Sequence, residues 1–74
     1  MPVERAAFDE YTRGFLESDE EAIDRAFNAT EWIAVSDREP VTVMVVDGEA
    51  VQVMVLEGHH AGRRGWLKPR HLAP

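Results

Sequence analysis

Val51-Gln52-Val53-Met54-Val55-Leu56-Glu57-Gly58-His59-His60-Ala61-Gly62-Arg63-Arg64-Gly65-Trp66-Leu67-Lys68-Pro69-Arg70-His71-Leu72 is the stretch whose reading decides the fold. An apolar, β-prone run enters a loop bounded by glycines. Gly65-Trp66-Leu67 then reads as a return strand, and Pro69 opens a short closing turn. Just upstream, Val41 to Val46 and Ala50 to Leu56 flank Asp47-Gly48, a strong hairpin signal. Side-chain direction alternates along a strand, so the loop length decides which residues share a face. A two-residue loop would put Val41, Val43 and Val45 with Gln52 and Met54. An odd loop, for instance three residues with Gly48 left-handed, gathers Val41, Val43, Val45, Val51, Val53 and Val55 on one face, and is the register expected. The other face, Thr42, Met44, Val46, Gln52, Met54 and Leu56, is still too apolar to be left in water. Exposing it would forgo several kcal/mol at roughly 0.8 kcal/mol per methylene. The first candidate for a cover is the N-terminal part of the chain; a homodimer partner is the second.

That N-terminal part has helical spacing. Val3, Ala7, Tyr11 and Phe15 recur every four residues, flanked by Phe8 and Leu16, against a polar side of Glu4, Asp9, Glu10 and Arg13. Gly14 is the weak point, costing about 1 kcal/mol relative to Ala unless close packing calls for it. Ser18 and Glu21 have the spacing of a capping box, and Asp19, Glu20 and Glu21 suit the positive end of a helix dipole, so a second helix is expected with Ala22, Ile23, Ala26 and Phe27 as its stripe. With so few residues between them, the two helices are expected to form a hairpin. Trp32 to Val35 is β-prone, and Ser36-Asp37-Arg38-Glu39-Pro40 is turn chemistry. Residues 1–29 then form a helical hairpin and 30–74 a β unit, within a single domain.

The 74 residues include no cysteine, which excludes disulfides, thiolate zinc sites and a cysteine nucleophile. No apolar run reaches the roughly 20 residues that span a bilayer. The start, Met1-Pro2-Val3-Glu4-Arg5, is unlike a basic leader, so a cytoplasmic protein without membrane attachment is expected. The net charge of -6 is unevenly spread: residues 1–40 hold 11 acidic and 4 basic side chains, and residues 41–74 hold 3 acidic and 4 basic. The later cations, Arg63, Arg64, Lys68 and Arg70, sit among His59, His60 and His71. Such a dipole can steer two different partners or pair head to tail with itself.

Gly65-Trp66-Leu67 followed by Pro69-Arg70-His71-Leu72 resembles the last strands of bacterial SH3-like domains. Val55-Leu56-Glu57-Gly58 with Ala61-Gly62 is similar to the KOW-type variant of that barrel. Counted back to Val41, the likeness covers about half the chain. It implies an α+β fold, an N-terminal helical hairpin packed on a small antiparallel SH3-like β-barrel of four or five strands. After residue 33 Trp66 is the only aromatic, so the aromatic-lined groove that reads proline-rich peptides is not expected.

Candidate sites concentrate in the same segment. His59, His60, Arg63, Arg64, Trp66 and Arg70 are the expected partner-binding residues, on a basic loop of an acidic protein. Trp66 also has a structural reading as a barrel residue, and Trp32 reads as the seam between helices and strands. Two adjacent histidines on a loop with His71 do not make tetrahedral ligation, so no metal and no cofactor are expected. Ser18 and Ser36 have no neighbouring histidine, and the carboxylates from Glu4 to Asp24 are spread along helices, so no catalytic residue is named and no enzyme is expected. The expected function is a non-enzymatic protein-binding or assembly module. A KOW-like RNA-binding domain is the alternative, with four late cations as its footing. A third reading is an acidic inhibitor or immunity-type protein acting through Glu17 to Asp24.

Overall fold

The structure is a computed structural model and describes residues 1–36 and 38–71. In chain order it contains α1 (Arg5–Glu17), α2 (Glu20–Ala29), β1 (Val41–Asp47), β2 (Ala50–Val55) and β3 (Arg64–Leu67), closed by a 3-10 turn at Pro69–His71. Two helices precede a three-stranded antiparallel open sheet in the order β1-β2-β3, which makes the fold α+β. The expected turn position Asp37 and the motif's last residue, Leu72, lie outside the described residues.

The joint between the helices differs from the expected capping box. Ser18 does not cap α2; it ends α1 in a left-handed conformation (φ 55), and the following Asp19 N–H donates to the Gly14 carbonyl at 2.8 Å. Asp19 is the cap of α2, its carboxylate accepting from the Ala22 N–H at 3.2 Å. A left-handed residue redirects the chain in one step, so the cap falls on the residue after it. The interior glycine of α1 is explained by contact with α2. A Cβ at Gly14 would lie 3.0 Å from the Ala22 Cβ and 3.1 Å from Ile23 Cγ1. Ala22 and Ala26 are fully buried, and Arg25 pairs with Glu10 at 2.7 Å beside the contact.

Small residues at the contact push the bulky ones to its margins. Ala7 and Phe8 are buried on α1, whereas Phe15, expected on the buried stripe, is 59% exposed and Leu16 is 75% exposed. Phe27 of α2 is half exposed as well.

The β1–β2 hairpin corrects the odd-loop register. Asp47 pairs with Ala50, leaving the two-residue loop Gly48-Glu49, with Gly48 at φ 60 as the first central position of a type II′ turn requires. The register shifts between Val43 and Val45, where Met44 is the extra residue of a bulge. Beyond the bulge, Val41 faces Val55 and Val43 faces Val53, as the odd loop would have given. Before it, Val46 rather than Val45 joins Val51. A two-residue turn and a valine face are thus reconciled by one inserted residue. Val51, Val53 and Val55 of the central strand are buried, together with Ile33 and Ala50.

Val3, expected at the start of the first helix's stripe, lies before α1, in a short segment with Met1 and Pro2 that runs alongside Glu31 to Ile33. The Val3 N–H donates to Glu31 (3.0 Å), the Ile33 N–H to Met1 (2.8 Å) and the Met1 nitrogen to Ile33 (2.6 Å), around a bridge between Pro2 and Trp32. On the other side the Trp66 N–H donates to the Pro2 carbonyl at 2.9 Å. Gly65 leaves room for the Met1 side chain there, since a Cβ would come within 2.6 Å of Met1 Cγ.

The cap assignment is directly testable by thermal or urea unfolding. Asp19→Ala is expected to cost about 1 kcal/mol. Ser18→Gly is expected to stabilise by a few tenths to about 1 kcal/mol, because glycine accepts the left-handed conformation without steric penalty. A capping role for Ser18 would give a loss in the second variant.

Candidate functional groove along α1

The carbonyls of the last turn of a helix lack intrahelical donors, and in α2 one of them fixes the position of an aromatic ring. Trp32 Nε1 donates to the Ala26 carbonyl at 3.0 Å. The Trp32 ring then lies 4.5 Å from Phe27 and 5.3 Å, edge-on, from Tyr11, while Tyr11 is 5.6 Å from Phe27. Tyr11 and Phe15 continue the aromatic surface along α1 with centroids 6.4 Å apart. Trp66 faces this group from β3. Its backbone is held by Pro2, and the Arg5 guanidinium sits 5.2 Å from its ring centroid, within cation–π range.

Between the two tryptophans lies a recess of about 210 Å³, walled by Phe8, Tyr11, Trp32, Trp66 and Pro2. A second recess of about 390 Å³ shares Phe8, Thr12 and Lys68 with the first and runs on past Arg13, Leu16 and Glu49. Together they make one groove along α1, aromatic at one end and bordered by mixed charge at the other. Thr12 lies on the stretch common to both. Its Oγ1 is buried and makes no hydrogen bond among the described residues. A hydroxyl enclosed in this way without a partner is a cost to the folded protein.

The residues expected to bind a partner are spread over three places. Trp66 is in the groove wall. Arg70 lies beyond its charged end, in a shallow recess with Glu49, Lys68 and Pro69. His59, His60 and Arg63 belong to the loop between β2 and β3, where the two imidazoles meet edge-on at 5.0 Å and Arg63 is ion-paired with Glu31. Arg64 opens β3 opposite Met54 and, two residues from Trp66, shares its side of the strand. Trp32 is the seam that the sequence suggests and a wall of the groove as well. Among the described residues no group of three His, Asp or Glu is placed to hold a metal ion, and the His71 side chain lies outside them.

Tyr11, Thr12 and Phe8 were not marked by sequence as groove residues. Their signal was available in the aromatic distribution: Phe8, Tyr11, Phe15, Phe27 and Trp32 all precede residue 33, more large rings than a contact built on Gly14, Ala22 and Ala26 can bury.

Much of the positive charge is already committed. Arg5 pairs with Asp9 at 2.9 Å and with Asp47, Arg13 with Glu17 at 2.9 Å, Arg25 with Glu10, and Arg63 with Glu31. These are exposed pairs, screened by solvent. Hydrogen bonding to the Arg63 guanidinium and its charge hold the Glu31 carboxyl below the ordinary glutamate range; the same bond raises Arg63.

No family model, no curated protein and no solved structure matches this chain.

Two outcomes follow from this geometry. Thr12→Val, which replaces the enclosed hydroxyl by a methyl of the same shape, is expected to raise the stability of the free protein by about 1 kcal/mol in urea unfolding. Unchanged or lower stability would mean that the hydroxyl is already satisfied. Because Glu31 is depressed in the folded state, its contribution is present above the unfolded glutamate pKa and is lost as pH falls through the lower folded value. Stability measured through that acidic window should therefore fall more steeply for the wild type than for Glu31→Gln.

Proposed function

We propose that this protein is a non-enzymatic protein-binding or assembly module of SH3-like type, and that it holds an extended peptide segment of its partner in the groove along α1. The observation that carries the reading is the confluence of Tyr11, Trp32 and Trp66, each partly buried, around an apolar recess. Recognition pockets combine a mostly apolar, aromatic lining with a few placed polar groups, and tryptophan and tyrosine offer large contact area at low entropic cost. The segment that fits carries one aromatic or branched aliphatic anchor for the aromatic end. The alternating charges of Arg13, Glu17, Glu49 and Lys68 would set its direction at the other end.

The SH3-like part of the reading is supported by the way hydrogen bonding continues past β3, from Trp66 to Pro2 and from Met1 and Val3 to the Glu31–Ile33 segment. Five extended segments in that order are what a small barrel would be built from, with α1 and α2 falling between the first and second of them in sequence. A protein partner is preferred over RNA because Arg63, one of the four late cations on which the RNA reading rests, is already engaged by Glu31, and tight RNA binding needs several cations available to phosphates.

Selection of peptides from a random displayed library, followed by mapping of amide and indole NMR shifts, tests the proposal. The expected peptides share an apolar anchor and shift Tyr11, Thr12, Trp32 and Trp66. Trp66→Ala is expected to weaken them about tenfold or more, in line with loss of a central aromatic contact. Peptides that instead map to His59 through Arg64 would move the site to the β2–β3 loop, and an absence of binders would overturn the proposal.

A further inference from the structure

β1 is an edge strand, and it does not look like one chemically. The sheet order leaves one side of Val41–Asp47 unpaired. Along it Val43, Met44, Val45 and Val46 are all exposed, Val46 to 69%. Val43 and Val46 share the face of Val53 and Val51, while Val45 shares that of Gln52, so the exposed apolar groups lie on both faces of the sheet. Apolar side chains on both faces are the pattern of a strand with neighbours on either side. Natural edges are protected by lysine, proline or inward-pointing charge, and Val41 to Val46 contains none of these. Its one irregularity is the bulge at Met44.

We infer that β1 pairs antiparallel with β1 of a second copy of this chain, joining two three-stranded sheets into one of six strands. The strand is complementary to itself. With the twofold axis beside Met44, Val41 meets the partner's Val46 and Thr42 meets its Val45, two pairs whose members lie on the same face of the sheet. The two bulges then fall together at the axis, where they interrupt the ladder once, and the regular stretches on either side pair across it. A one-residue slip would set Val41 and Val46 against residues of the opposite face, which favours this alignment, and the isologous arrangement closes at two copies. The pairing uses a different side of the molecule from the groove along α1 and does not depend on the groove's role.

The oligomeric state of the full chain, followed by analytical ultracentrifugation from low micromolar to near-millimolar concentration, is the primary test. The wild type is expected to associate reversibly into dimers and no further. Val45→Lys, which places two lysines near the axis, is expected to raise the dissociation constant about tenfold or more with an unchanged circular dichroism spectrum. Because the chain has no cysteine, single-cysteine variants are clean probes. Met44→Cys should form a disulfide-linked dimer on mild oxidation much faster than Phe15→Cys, a result that stands even if Val45→Lys fails to fold. A wild type that stays monomeric throughout, a dimer that survives Val45→Lys, or equal crosslinking at the two cysteine positions would overturn the inference.

Discussion

Four backbone hydrogen bonds made by Met1, Pro2 and Val3 couple the helical part of the chain to the sheet. Three of them join this short segment to Glu31 and Ile33, just after α2, and the fourth joins Pro2 to Trp66 in β3. Pro2 explains why the coupling takes this form. At its bridge with Trp32, the bonds between the two segments run through the flanking residues, so Pro2's own polar groups point the other way, toward β3. There it has a carbonyl to offer and no N–H, and it accepts one bond from Trp66 without being able to return one. The sheet is therefore tied to this segment at one point rather than zipped along it. That single tie fixes Trp66 opposite Trp32, and the two walls of the groove inherit their spacing from it.

A second constraint is the closeness of the helices. Gly14, Ala22 and Ala26 allow close approach of their backbones and leave no room for large side chains between them. In a chain of 74 residues this is an unusual use of the aromatic complement. Small domains need large apolar residues in the core to reach stability, yet Phe15 and Phe27 lie outside it and Tyr11 and Trp32 only half inside. The rings support one another through edge and stacked contacts, which recover part of the cost of exposure. The residues that stabilise the seam are thereby the same ones that line the groove.

The sequence revealed the elements better than the relations among them. Apolar spacing of four located both helices, Asp47-Gly48 located the hairpin, and Gly65-Trp66-Leu67 located the third strand. Local pattern could not choose between two and three loop residues, because the deciding event, the bulge at Met44, lies outside the turn and depends on what β2 buries. Nor could it choose between Ser18 and Asp19 as the cap, since both have suitable side chains and only the left-handed turn at Ser18 separates them. The groove was illegible for a different reason. Its walls come from Tyr11, Trp32 and Trp66, far apart in sequence, and the chain segment that brings them together, Met1 to Val3, is too short to carry a pattern of its own. The basic loop, conspicuous in sequence, is partly neutralised in space by Glu31, a residue whose proximity depends on that same segment.

Two kinds of unmet interaction remain in the folded chain, and they differ in what can satisfy them. Along α1 the exposed groups are apolar side chains around a concavity, which a shaped apolar group would fill. Along β1 the exposed groups include a row of backbone donors and acceptors as well as valines on both faces, and only another strand can satisfy both at once. Stability of a domain this small is a difference of a few kcal/mol, and leaving Val43 to Val46 in water forgoes an amount of the same order. Retaining charge-free valines there, in a protein whose net charge of -6 shows no shortage of acidic side chains, is consistent with selection for the pairing rather than for the isolated fold. The proposed peptide site and the proposed β1 pairing therefore do not compete, because the groove is walled by α1, Trp32 and Trp66 and the unpaired edge belongs to β1.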